Sequence, residues 1–273
     1  MGKGNLGEYL RARRAQLQPD QVGLPAGARR RVRGLRREEV ALLAGISPEY
    51  YLRLEQGRDM HPSDHVLSTL AEALRLDADA TAYLYTIARP RASKRLSSET
   101  VSPHVVSLIN GWPHTAAYIQ SRAFTVLAAN RLSAALSTHF DVGANPMKAA
   151  FLEHDMRELY RDWESMTARA VPFLRSLVAG HDDDPDVVAL IGELSMGSER
   201  FRTLWARHDV KARDEGITKF QHPQIGPLDL RYQKFILPES EHLLVTYHAD
   251  PGPSDDAFRM LADLATDATT TEH

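Results

Sequence analysis

The most highly charged segment of the sequence carries six arginines within nine positions, and its chemistry suits phosphate groups. They are Arg29, Arg30, Arg31, Arg33, Arg36 and Arg37. Guanidinium groups neutralise DNA phosphates and can enter a narrow minor groove. A run of like charges can also be an ordinary solvated surface, so the sequence leaves both interpretations open.

A helix-turn-helix is predicted directly after this segment. Such a motif needs a small residue where two helices touch and a glycine where the chain reverses, and Ala41 and Gly45 fit these roles. Ser47 and Pro48 then predict a new helix, because serine can cap the first turn and proline at the first helical position loses no needed donor. Leu54 falls where this second helix must face the core. The pair would present its second helix to a groove of DNA.

The net charge of −3 conceals two halves of opposite sign. Residues 1–95 carry a charge of +6 and residues 96–273 a charge of −9, and the positive excess is concentrated in residues 1–37, at +8. A chain of this length with such halves is expected to form two domains with different partners. The basic half suits nucleic acid, which would repel the acidic half.

Composition excludes several classes of protein. With 43% hydrophobic and 25% charged residues, the chain is typical of folded proteins. It has no cysteine, which excludes disulfides, thiolate metal sites and a cysteine nucleophile. No signal peptide is recognisable, and no apolar run approaches the roughly 20 residues that a membrane helix needs. We therefore expect a cytoplasmic protein without membrane contact.

Apolar spacing and capping residues predict five helices in the first domain and a mixed second domain. The first-domain helices are 6–17, 36–44, 48–56, 62–76 and 77–88, the last with Asp77 or Asp79 at its start. The second domain follows the order strands, helices, strands. Its predicted strands are 115–120, 124–129, 217–222, 228–237 and 243–247. Its predicted helices lie at 130–138, over most of 146–208, with a turn and the start of another helix near 181–185, and at 254–268.

The first domain resembles the XRE-type, lambda-repressor-like family of helix-turn-helix proteins. The matching residues are Arg11, 38–41, Gly45 and 54–57. More narrowly, residues 34–58 (GLRREEVALLAGISPEYYLRLEQGR) resemble the MmyB-like regulators, whose arginine-rich insert before the second helix corresponds to residues 28–37. Tyr51 departs from the pattern, which usually has a smaller valine or isoleucine there, and requires a roomier core or a tilted helix.

This resemblance implies that the third helix enters the major groove of DNA, with Glu49 and Arg53 nearest the base edges. Glutamate can accept from cytosine N4, and arginine can donate to guanine O6 and N7. An alternative role for Glu49 is electrostatic stabilisation of the helix N-terminus alone. Besides the six arginines, the predicted DNA-binding residues are Ser47, Pro48, Glu49, Tyr50, Arg53 and Arg58. The resemblance also implies a structural ion pair between Glu55 and Arg11.

The second half resembles MmyB-like proteins at residues 126–136, 151–152, 162–164, 173–175, 198–210 and 222–230. The resemblance implies a PAS-like domain, in which helices flank a sheet around a cavity, and a fatty-acid-like ligand. The expected fold class is α+β: an N-terminal all-α five-helix helix-turn-helix domain (1–89), a linker (90–102) and a PAS-like α/β ligand-binding and dimerisation domain (103–267). A loose tail, 268–273, would follow.

An acyl ligand needs an apolar tunnel and a cation or a few donors for its carboxylate. The predicted ligand-binding residues are Tyr118, Phe124, Asn130, Phe151, Trp163, Phe173, Arg175, Leu177, Phe201, Trp205, His208, His222 and Tyr232. Plain core packing is the alternative for the apolar members, and an N-cap is the alternative for Asn130. Arg175, on an otherwise apolar helix, must either pair with an acid or await an anionic ligand.

Three classes of function remain to be separated. A regulator with a sensor domain would bind double-stranded DNA at a pseudo-palindromic operator as a homodimer, together with an apolar small molecule such as a fatty acid. In a second class, the C-terminal domain only dimerises or binds a protein partner. The third class is an enzyme. Common catalytic motifs are missing from the sequence, and His208 and His222 lie too far apart to bind a metal as a pair on one helix. We therefore expect no enzyme activity, no metal and no cofactor.

Overall fold

A computed structural model of the chain describes residues 5–25, 34–59, 61–89, 100–181, 183–211, 215–238 and 240–270. Arg29, Arg30, Arg31 and Arg33 lie outside these residues, as do residues 90–99 of the predicted linker and 271–273 of the predicted tail. Contacts group the chain into two compact units. The first comprises residues 1–93, 171–188 and 203–212, and the second comprises residues 94–170, 189–202 and 213–273. The first unit therefore includes two segments that the sequence assigns to the second domain.

The first unit contains the five predicted N-terminal helices, each within three residues of its expected bounds. They are α1 (Asn5–Gln16), α2 (Arg37–Leu43), α3 (Pro48–Glu55), α4 (Asp64–Ala73) and α5 (Ala78–Ala88). A short 3₁₀ turn, Pro19–Val22, follows α1. The helices enclose a common core in which Tyr9, Leu10, Tyr51 and Leu54 are fully buried.

Side-chain caps define where these helices begin. The hydroxyl of Ser47 accepts a hydrogen bond from the first turn of α3, which confirms its predicted cap. Asp77, and not Asp79, caps α5. The fourth helix begins two residues later than Pro62, because Ser63 is its cap. Each cap satisfies an amide that would otherwise lack a partner at the helix start.

Two glycines allow α1 to approach its neighbours closely. A Cβ atom built at Gly7 would lie 2.3 Å from the carbonyl oxygen of Glu55, at the end of α3. One built at Gly34 would lie 2.5 Å from the carbonyl oxygen of Arg14. Any larger residue at either position would push α1 away, so these glycines set the helix spacing within which Tyr51 is buried.

The rest of the chain forms eight further helices and five strands within the described residues. They are α6 (Pro103–Asn110), β1 (Ala116–Gln120), β2 (Val126–Ala129), α7 (Arg131–Leu136), α8 (Pro146–Leu152), α9 (His154–Leu159), α10 (Trp163–Leu177), α11 (Pro185–Gly197), α12 (Glu199–Trp205), β3 (Gly216–His222), β4 (Gly226–Ile236), β5 (Leu243–Ala249) and α13 (Pro253–Thr270). All five predicted strands are confirmed. Helix α6 was not predicted, and α13 extends to Thr270, so the first residues of the predicted loose tail are helical.

The five strands form one antiparallel sheet in the order β2-β1-β5-β4-β3. Strand β1 and the first five residues of β5 are buried throughout, whereas β3 and much of β4 alternate between buried and exposed residues. Helix α6 packs on one face through Ile109. The other face carries an aromatic cluster that includes Tyr118, Phe140, Phe220 and Tyr247. This is the mixed α/β, PAS-like domain that the sequence predicts.

Candidate DNA-binding surface and ligand cavity

Helix α3 has one buried and one exposed face, as a recognition helix requires. Tyr51, Leu54 and Glu55 are buried, whereas Glu49 and Arg53 are exposed. Ser47, Pro48 and Arg58 are exposed as well, and Tyr50 is half-buried. The predicted base-reading side chains thus lie on the solvent-facing side of α3.

Tyr50 lies against Arg53 on this exposed face. The guanidinium carbon of Arg53 is 5.3 Å from the centre of the Tyr50 ring, within the range of a cation–π contact. The ring restricts the rotamers of the arginine before any DNA is bound. A preorganised guanidinium loses less entropy when it binds a guanine edge.

Glu55 is buried and forms ion pairs with two arginines. Its carboxylate lies 2.5 Å from Nε of Arg14 and 2.6 Å from Nε of Arg37. The predicted pairing with Arg11 is therefore wrong, because Arg11 is exposed and Arg14, one turn further along α1, faces Glu55. The structural role inferred for Glu55 is retained, since the cluster joins α1, α2 and α3.

The two arginines determine the ionisation of Glu55. Burial raises the pKa of its carboxyl, but the hydrogen bonds and charges of Arg14 and Arg37 outweigh burial. The pKa therefore lies below its usual value, and the carboxylate is ionised at neutral pH.

Only two of the six clustered arginines lie within the described residues. Arg36 is exposed directly before α2. Arg37 binds Glu55, yet 44% of its side chain remains exposed. Arg37 therefore has a structural role beside the predicted phosphate contact, which stays a prediction.

The sheet face with the aromatic cluster borders a cavity of about 70 Å³ in the second unit. Three of the predicted ligand-binding residues line it: Tyr118, Phe124 and Tyr232. The remaining lining residues are Gln120, Pro146, Met147, Ala150, Tyr160, Met166, Arg169, Ala170, Thr218, Lys234, Val245 and Tyr247. The cavity thus brings together strands β1, β3, β4 and β5 with helices α8 and α10.

Gln120 is the most informative residue of the cavity wall. It is 2% exposed, and its Oε1 atom is buried without a hydrogen-bond partner. The pairing of β1 with β2 shifts register between Ile119 and Gln120, and such irregularities re-aim side chains next to binding sites. Buried acceptors are nearly always hydrogen-bonded in folded proteins. Oε1 of Gln120 can therefore accept a further hydrogen bond.

Phe124 also lines the cavity, and its backbone is in the left-handed region, with φ of 65°. A bulky residue there costs about 1–3 kcal/mol and persists only where the surroundings impose it. The tight turn between β1 and β2 imposes it here, since the amide of Phe124 binds the carbonyl of Ser121 at 2.9 Å. Such strain is concentrated at functional sites.

The tyrosines of the cavity are uncharged hydrogen-bonding groups. Burial raises the pKa of Tyr118 and of Tyr160 well above the usual value, and the neighbouring Tyr247 raises both further. Both phenols therefore keep their protons over the whole physiological range. The wall combines apolar ring faces with neutral hydroxyls.

The charge of the lining is positive. Arg169 and Lys234 belong to it, and none of the lining residues within the described chain is an aspartate or a glutamate. Arg169 forms an ion pair with Asp162 at 3.7 Å and donates a hydrogen bond to Ser165 at 2.7 Å. The ammonium of Lys234 lies 5.4 Å from the centre of the Tyr232 ring.

Sequence reasoning missed several members of this cavity. Lys234 lies two positions from Tyr232 on a strand, so its side chain is on the same face, and this signal could have identified it. Gln120 ends an otherwise apolar strand, which is a second usable signal. Tyr160 lines the cavity because of the position of α9, and Tyr247 lines it because of the order of the strands. No local pattern predicts either.

The other predicted ligand-binding residues do not line this cavity. They are Asn130, Phe151, Trp163, Phe173, Arg175, Leu177, Phe201, Trp205, His208 and His222. Phe151 and Phe201 pack edge to face, with ring centres 5.4 Å apart, and Trp163 donates to a backbone carbonyl at 2.7 Å. His222 is hydrogen-bonded to the carbonyl of Ala135 at 3.0 Å. The contacts of these four residues resemble ordinary core packing.

Asn130 has a structural role that uses its whole amide. Its oxygen accepts from the amides of Ala117 and Ser133, both at 3.0 Å. Its nitrogen donates to the carbonyls of Ile109 and Thr115, at 3.0 and 2.8 Å. The alternative that Asn130 is the N-cap of α7 is confirmed, and its side chain has no free donor for a ligand.

A second depression, of about 440 Å³, lies between the end of α6, the start of α7 and α13. Arg131, Asn110 and Pro113 are exposed there, and Trp112 is half-buried. No unpartnered buried polar side chain points to a ligand there within the described residues.

Within the same described part of the chain, no group of three or more histidine, aspartate or glutamate side chains is arranged to hold a metal ion. No helix found there has the length and apolar character needed to cross a membrane.

An exposed recognition helix beside a buried ion-pair cluster, together with a cavity in a separate α/β unit, defines a transcription regulator with a ligand-binding domain. Residues 5–84 match the model of a helix-turn-helix domain family. Residues 101–264 match the model of the MmyB-like transcription regulator ligand binding domain. The second match covers more than half of the chain, and the protein belongs to the MmyB-like transcription regulators, not to an enzyme family. No curated protein that was compared matches the chain.

Proposed function

We propose that the protein is a sequence-specific DNA-binding regulator whose operator affinity is controlled by an apolar, fatty-acid-like small molecule bound in the cavity beside Gln120. The unpartnered, fully buried Oε1 of Gln120 is the observation that supports the ligand site most directly. Gln120 belongs to the cavity wall, so a ligand that donates a hydrogen bond there would satisfy this acceptor.

The proposed ligand has an anionic end and an apolar body. Arg169 and Lys234 supply positive charge for a carboxylate, and ring faces such as that of Phe124 supply apolar contact. Gln120 adds a need for a donor, which a hydroxyl group on the ligand or the proton of an uncharged acid would meet. An ionised fatty acid supplies the anionic end and the apolar body, and an acid that also carries a hydroxyl group would in addition donate to Gln120.

The cavity must widen to hold a long chain. Its volume of about 70 Å³ is below the roughly 300–1,000 Å³ of most ligand sites. Met147 and Met166 line it, and methionine side chains repack readily because they are unbranched and flexible. Movement of these side chains is the route by which an acyl chain would enter.

DNA recognition is proposed for α3, with Glu49 and Arg53 at base edges and Tyr50, Arg58 and the arginine cluster at phosphates. A homodimer would place two copies of α3 in successive major grooves of a pseudo-palindromic operator. Action on DNA places the protein in the cytoplasm. The ligand can change DNA affinity only by binding one arrangement of the two recognition helices better than the other.

Native mass spectrometry of gently purified protein tests the ligand site. We expect an acyl carboxylate to remain bound to the wild type. The variant Ala170→Phe, which fills the cavity from α10, should lack it. The matched control is Ala168→Phe, at an exposed position of the same helix, and it should keep the ligand. Equal occupancy in wild type and Ala170→Phe, or no bound molecule in any of them, would contradict the proposal.

A further inference from the structure

Arg175 is a buried cation of the first unit, stacked on a tryptophan. It is 3% exposed, and its guanidinium carbon lies 3.8 Å from the centre of the Trp205 ring. One terminal nitrogen donates to the carbonyl of Trp205, but Nε is buried without an acceptor. Within the described residues, no carboxylate lies within ion-pair distance of this guanidinium.

His208 is a second unsatisfied group beside Arg175, because its backbone amide donates at 3.3 Å to the same Trp205 carbonyl that accepts from the Arg175 guanidinium. Its Nδ1 atom is buried without a partner, and its backbone is left-handed, with φ of 54°. Burial lowers the pKa of His208 to about 4, and the charge of Arg175 contributes to the shift. The imidazole is therefore neutral at physiological pH, and either ring nitrogen can carry its proton.

Two unsatisfied nitrogens beside an unneutralised charge point to a missing anion. Buried polar groups almost always have partners, and an uncompensated buried charge is strongly destabilising. A water molecule would satisfy the nitrogens but would leave the charge of Arg175 unneutralised. A carboxylate or phosphate oxygen satisfies both needs, and charge-assisted hydrogen bonds to arginine are strong ones.

We propose that Arg175 and His208 form a binding site for a small oxyanion, a carboxylate or a phosphate group, which accepts hydrogen bonds from Arg175 Nε and His208 Nδ1. Trp205 forms one wall by stacking on the guanidinium. The site is distinct from the cavity beside Gln120, since none of its residues lines that cavity, and it can be tested independently.

The chain segment that carries His208 also binds helix α1. The carbonyl of Arg207 accepts a hydrogen bond from Gln16 at 2.5 Å, and Asp209 lies 3.7 Å from Arg13. Val210 packs against the core of the first unit. The proposed oxyanion site therefore belongs to the same compact unit as the recognition helix.

The test is thermal unfolding of the full chain in sodium acetate, sodium phosphate and sodium chloride at equal ionic strength. Acetate, phosphate or both should raise the Tm of the wild type by about 5 °C or more near saturation, relative to chloride. Acetate alone would assign the site to carboxylates, and phosphate alone would assign it to phosphates. Phosphate also stabilises proteins in general by exclusion from their surfaces, so variants must separate the specific part.

Arg175→Met should lose the anion-dependent rise in Tm while unfolding in chloride at a Tm equal to or above that of the wild type, because it removes an unpaired buried charge. His208→Ala should weaken the response. The matched control is Arg200→Met. Arg200 also stacks on a tryptophan, at 5.0 Å, but its Nε donates to Thr167 and a terminal nitrogen donates to the carbonyl of Glu164, so the anion response of this variant should equal that of the wild type. No oxyanion-dependent rise in the wild type, or an equal rise in Arg175→Met, would overturn the proposal.

Discussion

At the residue scale, the charged groups of the first unit divide into those that hold the fold and those that remain available to DNA. Glu55 binds Arg14 and Arg37 and so joins three helices. Glu49 and Arg53 are exposed on the same helix and are not needed for that cluster. Substitutions at the two kinds of site should therefore have different consequences, the first for stability and the second for recognition.

Glu55→Gln should destabilise the protein by about 3–5 kcal/mol, because it leaves the largely buried Arg14 without its charge partner. Chemical denaturation followed by circular dichroism measures the loss. Glu49→Gln is the matched control on the same helix, and as an exposed substitution it should change stability by no more than about 0.5 kcal/mol. A loss below 1 kcal/mol for Glu55→Gln would contradict the role assigned to the cluster.

The pKa of Glu55 predicts how this difference varies with pH. Because its pKa in the folded state lies below the value in the unfolded chain, the ionised form stabilises the fold above the unfolded pKa of about 4.3. That contribution disappears as the pH falls through the folded pKa. The stability gap between wild type and Glu55→Gln should thus be constant near neutrality and shrink below about pH 4.3. A gap that widens on acidification would contradict the ion pairs.

Arg53→Ala should reduce discrimination between the operator and unrelated DNA by about 1–3 kcal/mol, which is roughly 5- to 150-fold in relative affinity. Fluorescence anisotropy with a site selected from random DNA measures it. Arg58→Ala is the comparison: as a phosphate contact it should weaken binding to both DNAs by similar factors. If Arg53→Ala kept full specificity, α3 would not recognise the operator bases through this side chain.

At the element scale, the helices of the first unit were predictable because their signals are local. Ser47 and Asp77 cap α3 and α5 from adjacent positions, and apolar spacing defines the buried faces. Helix α6 was missed since it follows the polar segment taken as a linker. The break near 181–185 was predicted and is confirmed between α10 and α11. The other breaks that divide residues 146–208 into five helices were missed, because the apolar spacing continues across breaks that tertiary packing imposes.

The close contact between α1 and α3 makes a prediction at this scale. Gly7→Ala should destabilise the first unit by about 1–3 kcal/mol, because its methyl group would meet the backbone of Glu55 at 2.3 Å. Gly192→Ala is the control: it lies within α11 with no atom near the added methyl, and it should stabilise the protein by about 0.5–1 kcal/mol. Equal effects in thermal unfolding would show that α1 is free to move away from α3.

Local sequence patterns predict only a few of the residues that line the cavity. Tyr118, Phe124 and Tyr232 were predicted from their aromatic character in apolar surroundings, yet most other predicted ligand residues lie elsewhere. Which residues line the cavity depends on the strand order, which places β1 beside β5 and β5 beside β4. Gln120 and Lys234, more than 100 residues apart, come together only through that order.

At the scale of the whole molecule, the sequence carries its positive charge in the half with the helix-turn-helix and its negative charge in the half with the ligand-binding domain. Residues 1–37 carry +8, while residues 96–273 carry −9. An acidic ligand-binding half would be repelled by the duplex, which favours approach through the basic half. Residues 38–95 contribute the remaining −2 to the overall charge of −3.

The arginine cluster can be tested through the salt dependence of DNA binding. If Arg29, Arg30 and Arg31 each neutralise a phosphate, replacing all three with alanine should reduce the slope of log K against log salt by about 2.7. A titration on non-specific DNA measures this slope. An unchanged slope would assign the cluster to a solvated surface.

If the ligand regulates the protein, its binding in the cavity of the second unit must change the DNA affinity of the helix-turn-helix. The most direct measurement is operator affinity with and without the acyl carboxylate that occupies the cavity, in wild type and in Ala170→Phe. We predict that the ligand changes the Kd of the wild type for its operator by about 5- to 150-fold, as typical coupling energies give, and leaves that of Ala170→Phe unchanged. A ligand that binds the wild type without changing its operator Kd, or that changes it equally in Ala170→Phe, would contradict the account.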